Sequence, residues 1–177
     1  LGIELAKKTG ADIVLGTDPD CDRVGVAVKN GDEYSLLTGN QIGALLTDYI
    51  MSHTDFNKIS KPAVIKTVVT SDLGAEIAKK HGAYVFSTLT GFKFIGEKIT
   101  QFEKAKINSD NLRNYDFLLG YEESYGYLVG THARDKDAVV ASLLICEMCA
   151  DHKNNGKSLL YRMEQLYEEF GYYYDHL

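Results

Sequence analysis

Asp18, Asp20 and Asp22 alternate through the stretch Gly16-Thr-Asp18-Pro-Asp20-Cys-Asp22-Arg23 and offer three carboxylates to whatever lies inside that turn. Like charges crowded this closely repel, and they stay ionised together only with a cation among them. Oxygen-only ligands from a tight loop suit a hard ion, and three carboxylates with coordination to spare for a phosphate suit Mg²⁺. A solvated acidic turn is the ordinary meaning of D-x-D, but here an apolar run over residues 13–16 feeds the turn and an arginine closes it. An EF-hand fails: with Asp18 in first place, Arg23 stands where the loop needs glycine and Lys29 where it needs glutamate.

Three further clusters carry chemistry. Thr88-Leu-Thr90-Gly91-Phe-Lys93 leads into a helix, where free backbone amides, a glycine, hydroxyls and a lysine suit a phosphorylated or hydroxylated ligand. An ordinary capped helix start with an exposed lysine explains the same residues equally well. Gly120-Tyr-Glu122-Glu123-Ser124-Tyr-Gly126 places carboxylate and hydroxyl together between glycines, the combination that hydrogen-bonds vicinal sugar hydroxyls. Standing alone it is also readable as a solvated acidic turn. In Thr131-His132-Ala-Arg134-Asp135-Lys136-Asp137, Asp135 or Asp137 caps the next helix, or His132, Arg134 and Lys136 serve a phosphate or hand on a proton.

The elements that must position these clusters follow from periodicity and breakers. A helix end over residues 1–9 stops at Gly10, and a strand over 11–16 leads to the acidic turn. Strands at 24–29 and 34–37 flank Asn30-Gly31, a hairpin signal. A helical stripe covers 41–52 with Asn40 as its expected cap, and 53–62 is a polar loop. Strand then alternates with helix: strands at 63–69, 84–89 and 116–120, helices from Ser71 or Asp72 to Lys80, over 92–102, 138–152 and 157–170, and a loop at 103–115. This rhythm predicts parallel βαβ units with helices on both faces, whose ligand sites collect at the carboxyl ends of strands. The fold class expected is α/β, a mixed, largely parallel sheet flanked by helices, preceded by the tail of a similar domain.

Bulk properties narrow the partners. The net charge of −6 opposes nucleic-acid binding through bulk electrostatics, and no run approaches the ~20 apolar residues of a membrane span. Cys21, Cys146 and Cys149 are too few for a disulfide framework, which predicts a reducing, cytoplasmic setting. The Cys146/Cys149 spacing falls in an expected buried helix with no second pair, so packing is the expected role. Starting at Leu1 and ending on the run Tyr172–Leu177, the chain is expected to belong to something longer.

Taken in order, GTDPDCDR, STLTGFKFIG, GYEESYGYLVG and THARDKDA resemble the α-D-phosphohexomutases, the phosphoglucomutase and phosphomannomutase family, across nearly the whole chain. The resemblance implies a four-domain enzyme that interconverts hexose 1-phosphate and hexose 6-phosphate through a phosphoserine and a bisphosphorylated intermediate. By it, Asp18, Asp20 and Asp22 are the Mg²⁺ ligands and Arg23 the arginine beside the phosphoserine. Glu122 and Ser124 contact sugar hydroxyls, Thr90, Gly91 and Lys93 form the second sugar-facing loop, and His132 and Lys136 are basic groups at the catalytic centre, Lys136 being the candidate acid/base. Tyr125 departs from the glycine of the EESG and EMSG forms. Neither a T-A-S-H-N-P serine loop nor an R-x-S-G-T phosphate loop is present in these residues. The domains implied are the end of domain two at 1–30, domain three at 31–157 and a segment leading toward domain four at 158–177, a set expected to be inactive without the remaining domains. Two other readings stand beside it: a phosphatase of the haloacid dehalogenase type with Asp18 as nucleophile, and a non-catalytic module binding metal or sugar phosphate.

Overall fold

The computed structural model describes residues 1–110 and 113–174; residues 111, 112 and 175–177, in the expected loop and C-terminal segment, lie outside the described residues. Helix α1 (Gly2–Thr9) ends at Gly10 in the left-handed region, φ 71°, and β1 (Ile13–Thr17) runs to the acidic turn. β2 (Val24–Asn30) and β3 (Glu33–Leu37) form the hairpin about Gly31, giving an antiparallel sheet of order β1-β2-β3. α2 (Gly39–His53) follows. Its cap is Thr38 rather than Asn40: Thr38 and Gln41 close a reciprocal capping box, while the Asn40 side chain accepts from the Ser71 amide at 3.1 Å.

β4 (Pro62–Thr67), α3 (Leu73–Lys80), β5 (Tyr84–Thr88), α4 (Phe92–Ile107) and β6 (Asp116–Glu122) supply the alternating unit. The second sheet has the order β5-β4-β6-β7, with β4 parallel to both β5 and β6. Central β4 is buried along its whole length, as a strand covered on both faces must be. α4 runs five residues beyond its expected end because Ala105 still buries one turn past Phe102. β7 (Gly126–Val129), absent from the sequence reading, pairs antiparallel with β6 across the short turn 123–125. Two glycines and three small or polar neighbours hid this hairpin inside an apparent loop.

α4 alone covers one face, with Phe92, Ile95, Ile99 and Phe102 over Ala63, Ile65 and Phe117. On the other face α2 and α3 pack with α5 (Ala138–Asn154) and α6 (Leu159–Phe170) around Val64, Leu119 and Tyr121. A register shift opposite Ala63/Val64 lets Phe117 and Leu119, two apart in sequence, serve opposite faces. Tyr121 is clamped by glycines, since a Cβ at Gly43 would lie 2.6 Å from its ring and one at Gly74 2.2 Å from its hydroxyl. α5 corrects another expectation: Ala141, Ile145 and Met148 face the core, but Val139, Leu143 and Cys146 are exposed. Its apolar residues run nearly all round, so periodicity could not show which face is covered.

Candidate active site

The acidic turn is built by its own backbone. Cys21 enters the left-handed region, φ 57°, and its amide donates to the Asp18 carbonyl at 3.0 Å, closing the chain on itself. Asp18 Oδ1 then accepts from the Asp22 and Arg23 amides, both at 3.1 Å, and its Oδ2 accepts from Arg23 Nε at 2.7 Å. The Arg23 backbone amide first, and the Arg23 side chain after it, hold the Asp18 carboxyl far below the usual carboxylate range. One oxygen from each of Asp18, Asp20 and Asp22 lies within 4.8 Å of the others. Asp22 Oδ1 is buried and makes no hydrogen bond among the described residues, with Arg23 Nε 3.5 Å away. A buried acceptor left without a donor is costly, and a cation in the turn would satisfy it.

This turn is stitched to the second sheet. The Val24 amide donates to the Tyr125 carbonyl at 3.1 Å, the Ala138 amide donates to the Cys21 carbonyl at 3.1 Å, and Arg23 bridges to Gly126. Tyr125 holds φ 69°, a conformation a side chain seldom adopts, and its carbonyl makes one of these links. Lys136 completes the joint. Its ammonium lies 2.9 Å from Asp22 Oδ2 and 3.0 Å from Asp135 Oδ1, and 5.4 Å over the Phe92 ring. Burial opposes its charge, but the bonds to Asp22 and Asp135 outweigh that and raise its pKa above the ordinary lysine value. Such a group is protonated at neutral pH.

The other expected residues distribute unevenly. Glu122 is the last residue of β6 and is buried, and its Oε1 accepts from the Gly91 amide at 3.0 Å, so the two expected sugar loops touch. Gly91, at φ 114°, turns that amide toward β6. Thr90 and Ser124 are exposed beside them, and Lys93 turns out over the Phe94 ring at 4.8 Å. His132 does not reach the acidic turn: its Nε2 pairs with Asp137 Oδ2 at 2.8 Å, and Asp137 caps α5. Arg134 is drawn to Glu103 and to Thr100 on α4. Among the three bases of this segment, therefore, Lys136 alone reaches the acidic turn in the described structure, through Asp22. Sequence reasoning gave no separate site role to Phe92, Gly126 or Glu123 and weighed Asp135 only as a helix cap. Gly126 matters through a close approach that no motif shows, because a Cβ there would fall 2.1 Å from Lys136 Cδ.

These features define an α/β/α domain that gathers its ionisable and hydroxylated side chains at the carboxyl ends of its strands, next to an acidic turn delivered by the β1-β2-β3 sheet. The family model for alpha/beta/alpha domain III of phosphoglucomutase/phosphomannomutase matches residues 38–170, and that for domain II matches residues 1–31. The chain belongs to the phosphoglucomutase/phosphomannomutase family. It is 35% identical over 176 residues to a phosphoglucomutase of Staphylococcus aureus, covering 99% of this chain and 30% of that protein. Among solved structures, a Thermus thermophilus protein described as a phosphomannomutase superposes with a TM-score of 0.66 at 24% identity, over 94% of this chain and 34% of that one. An N-acetylphosphoglucosamine mutase of Aspergillus fumigatus, in complex with GlcNAc-6P and magnesium, superposes at 0.53 and 17% identity, over 86% and 37%. Both share the fold. No helix among the described residues is long and apolar enough to cross a membrane.

Proposed function

We propose that these residues form the metal turn and sugar-binding domain of an enzyme that interconverts hexose 1-phosphate and hexose 6-phosphate, the phosphoryl group resting on a serine outside this sequence. The observation that carries the proposal is the contact of Lys136 with Asp22, which sets a charged proton donor against the three-aspartate turn. Asp18, Asp20 and Asp22 fit Mg²⁺, by their mutual distances and by the unbonded buried oxygen of Asp22. When bound there, the ion draws off charge from phosphoryl oxygens; magnesium accompanies the sugar phosphate in the Aspergillus structure. Lys136 supplies a proton to the departing sugar oxygen and Arg23 faces the phosphoryl group. Ser124 and Glu122 hold sugar hydroxyls, Thr90, Gly91 and Lys93 line the other side, and His132 steadies the segment through Asp137.

On this reading residues 1–30 end the second domain, 31–157 make the third, and 158–177 lead toward a fourth, while the three free cysteines accord with the cytoplasm. A phosphatase using Asp18 fits less well. Both oxygens of that carboxylate already accept hydrogen bonds, and a carboxylate so stabilised is a poor nucleophile. The test is hexose phosphate turnover by the complete polypeptide that carries this sequence. Lys136→Ala is expected to lower kcat by about 10²- to 10⁴-fold, the usual contribution of a positioned acid or base, and a chelator to abolish activity reversibly. The 177-residue chain alone is expected to show no turnover. A phosphoryl adduct on Asp18, or full activity in Lys136→Ala, would overturn the proposal.

A further inference from the structure

We infer that Glu123, the member of the glutamate pair that faces away from the acidic turn, is the positioning residue that fixes the Glu122-to-Ser124 loop; the inference rests on the mutase reading above. Adjacent residues leaving a strand point to opposite sides. Glu122 reaches the Gly91 amide on one side, while Glu123 Oε2 turns to β4 and meets Thr70 Oγ1 at 2.9 Å and Thr67 Oγ1 at 3.3 Å. Those two hydroxyls are buried and lie 2.6 Å from each other. With one proton apiece, both donate to the carboxylate, or one donates through the other. In either arrangement their best acceptor is Glu123.

The ground beneath the hydroxyls is itself fixed. Lys66 is buried at 4% exposure, and its ammonium donates to the Thr70 carbonyl at 2.8 Å and the Thr67 carbonyl at 3.3 Å while pairing with Asp72 at 2.9 Å. That clamp sets the turn from which Thr67 and Thr70 project. The backbone of Glu123 is held from the other side, because its carbonyl oxygen occupies the space a Cβ at Gly39 would take, 1.9 Å away. Tyr127 Oη donates to the Gly39 carbonyl at 3.0 Å and locks the start of α2 in place. Glu123 is thus tied by side chain and main chain, and its neighbours inherit their directions: Glu122 toward Gly91, Ser124 toward solvent, where a sugar hydroxyl would meet it.

The test compares Glu123→Ala, Glu123→Gln and Glu122→Ala in the complete polypeptide, measuring kcat and KM for glucose 1-phosphate and the Mg²⁺ concentration for half activation. A misplaced binding loop costs up to about 100-fold, so Glu123→Ala is expected to lose roughly 10- to 100-fold in kcat/KM with half-activating Mg²⁺ unchanged. Glu123→Gln should recover most of the loss, because its amide oxygen accepts the same hydroxyls. If Glu123→Ala does not fold, Thr70→Val removes the closer donor at constant volume and should show the same pattern. Wild-type kcat/KM in Glu123→Ala or Thr70→Val, or a Gln variant no better than Ala, overturns the inference. Wild-type activity in Glu122→Ala overturns the mutase reading itself, and the inference with it.

Discussion

Lys136 shows how much a site can depend on an atom that is not there. Its methylenes lie against Gly126, where any side chain would collide with Cδ at 2.1 Å, so the lysine reaches Asp22 only because β7 begins with glycine. Gly126→Ala must either push the lysine off Asp22 or move β7 away from β6. Overpacking of this kind typically costs about 1–3 kcal/mol. We expect that loss in chemical denaturation of the chain, together with at least a tenfold fall in kcat in the complete polypeptide. An Ala variant with unchanged stability would show that the lysine repacks freely. The motif residues themselves, Asp18, Asp20, Asp22, Glu122, Ser124 and Lys136, were legible as candidates because chemistry restricts which residue types can serve. Gly126 and Glu123 were not, since their importance lies in what approaches them through space.

At the level of elements, α5 joins the two sheets. Its first turn is capped by Asp137, whose Oδ1 accepts from the Val139 and Val140 amides at 2.9 and 3.0 Å while Oδ2 pairs with His132. The bond to His132 is the largest influence holding the Asp137 carboxyl below its ordinary 3.8. A carboxyl with a lowered folded-state pKa contributes in full above its unfolded value, and that contribution fades as pH falls through the lowered one. Asp137→Ala is therefore expected to cost about 0.5–2 kcal/mol near neutral pH, the usual worth of such a cap. The gap to wild type should narrow below pH ~3.8, as followed by thermal unfolding across pH. A gap independent of pH would mean that the carboxylate charge contributes nothing. The sequence offered Asp135 and Asp137 equally as caps; φ of −134° at Asp137 and its position one residue before the helix decide for it.

Over the whole molecule, a bidentate ion pair helps tie the last helix to the rest, beside the pair of Lys80 with Glu169. Arg162 on α6 meets Asp48 on α2 through two bonds, 2.7 and 2.6 Å, and the Asp48 side chain is only 7% exposed. Breaking a buried pair from one side strands the other charge, at about 3–5 kcal/mol, whereas replacing both by apolar groups is often neutral. Asp48→Ala is thus expected to shift urea unfolding by that amount, and Asp48→Leu with Arg162→Met to restore most of it. Equal losses in the single and double variants would contradict the account. Strand–helix alternation and the four motifs sufficed to determine the α/β class, the order of elements apart from β7 and the candidates for binding an ion or a sugar, because periodicity and side-chain chemistry are local properties. Pairings between distant residues were decided only by tertiary structure: Lys136 rather than His132 at the aspartates, Thr38 rather than Asn40 at the cap, the β6–β7 hairpin, and the outward face of α5. Each depends on which surfaces the chain brings within a few ångströms, and no spacing along the sequence encodes that distance.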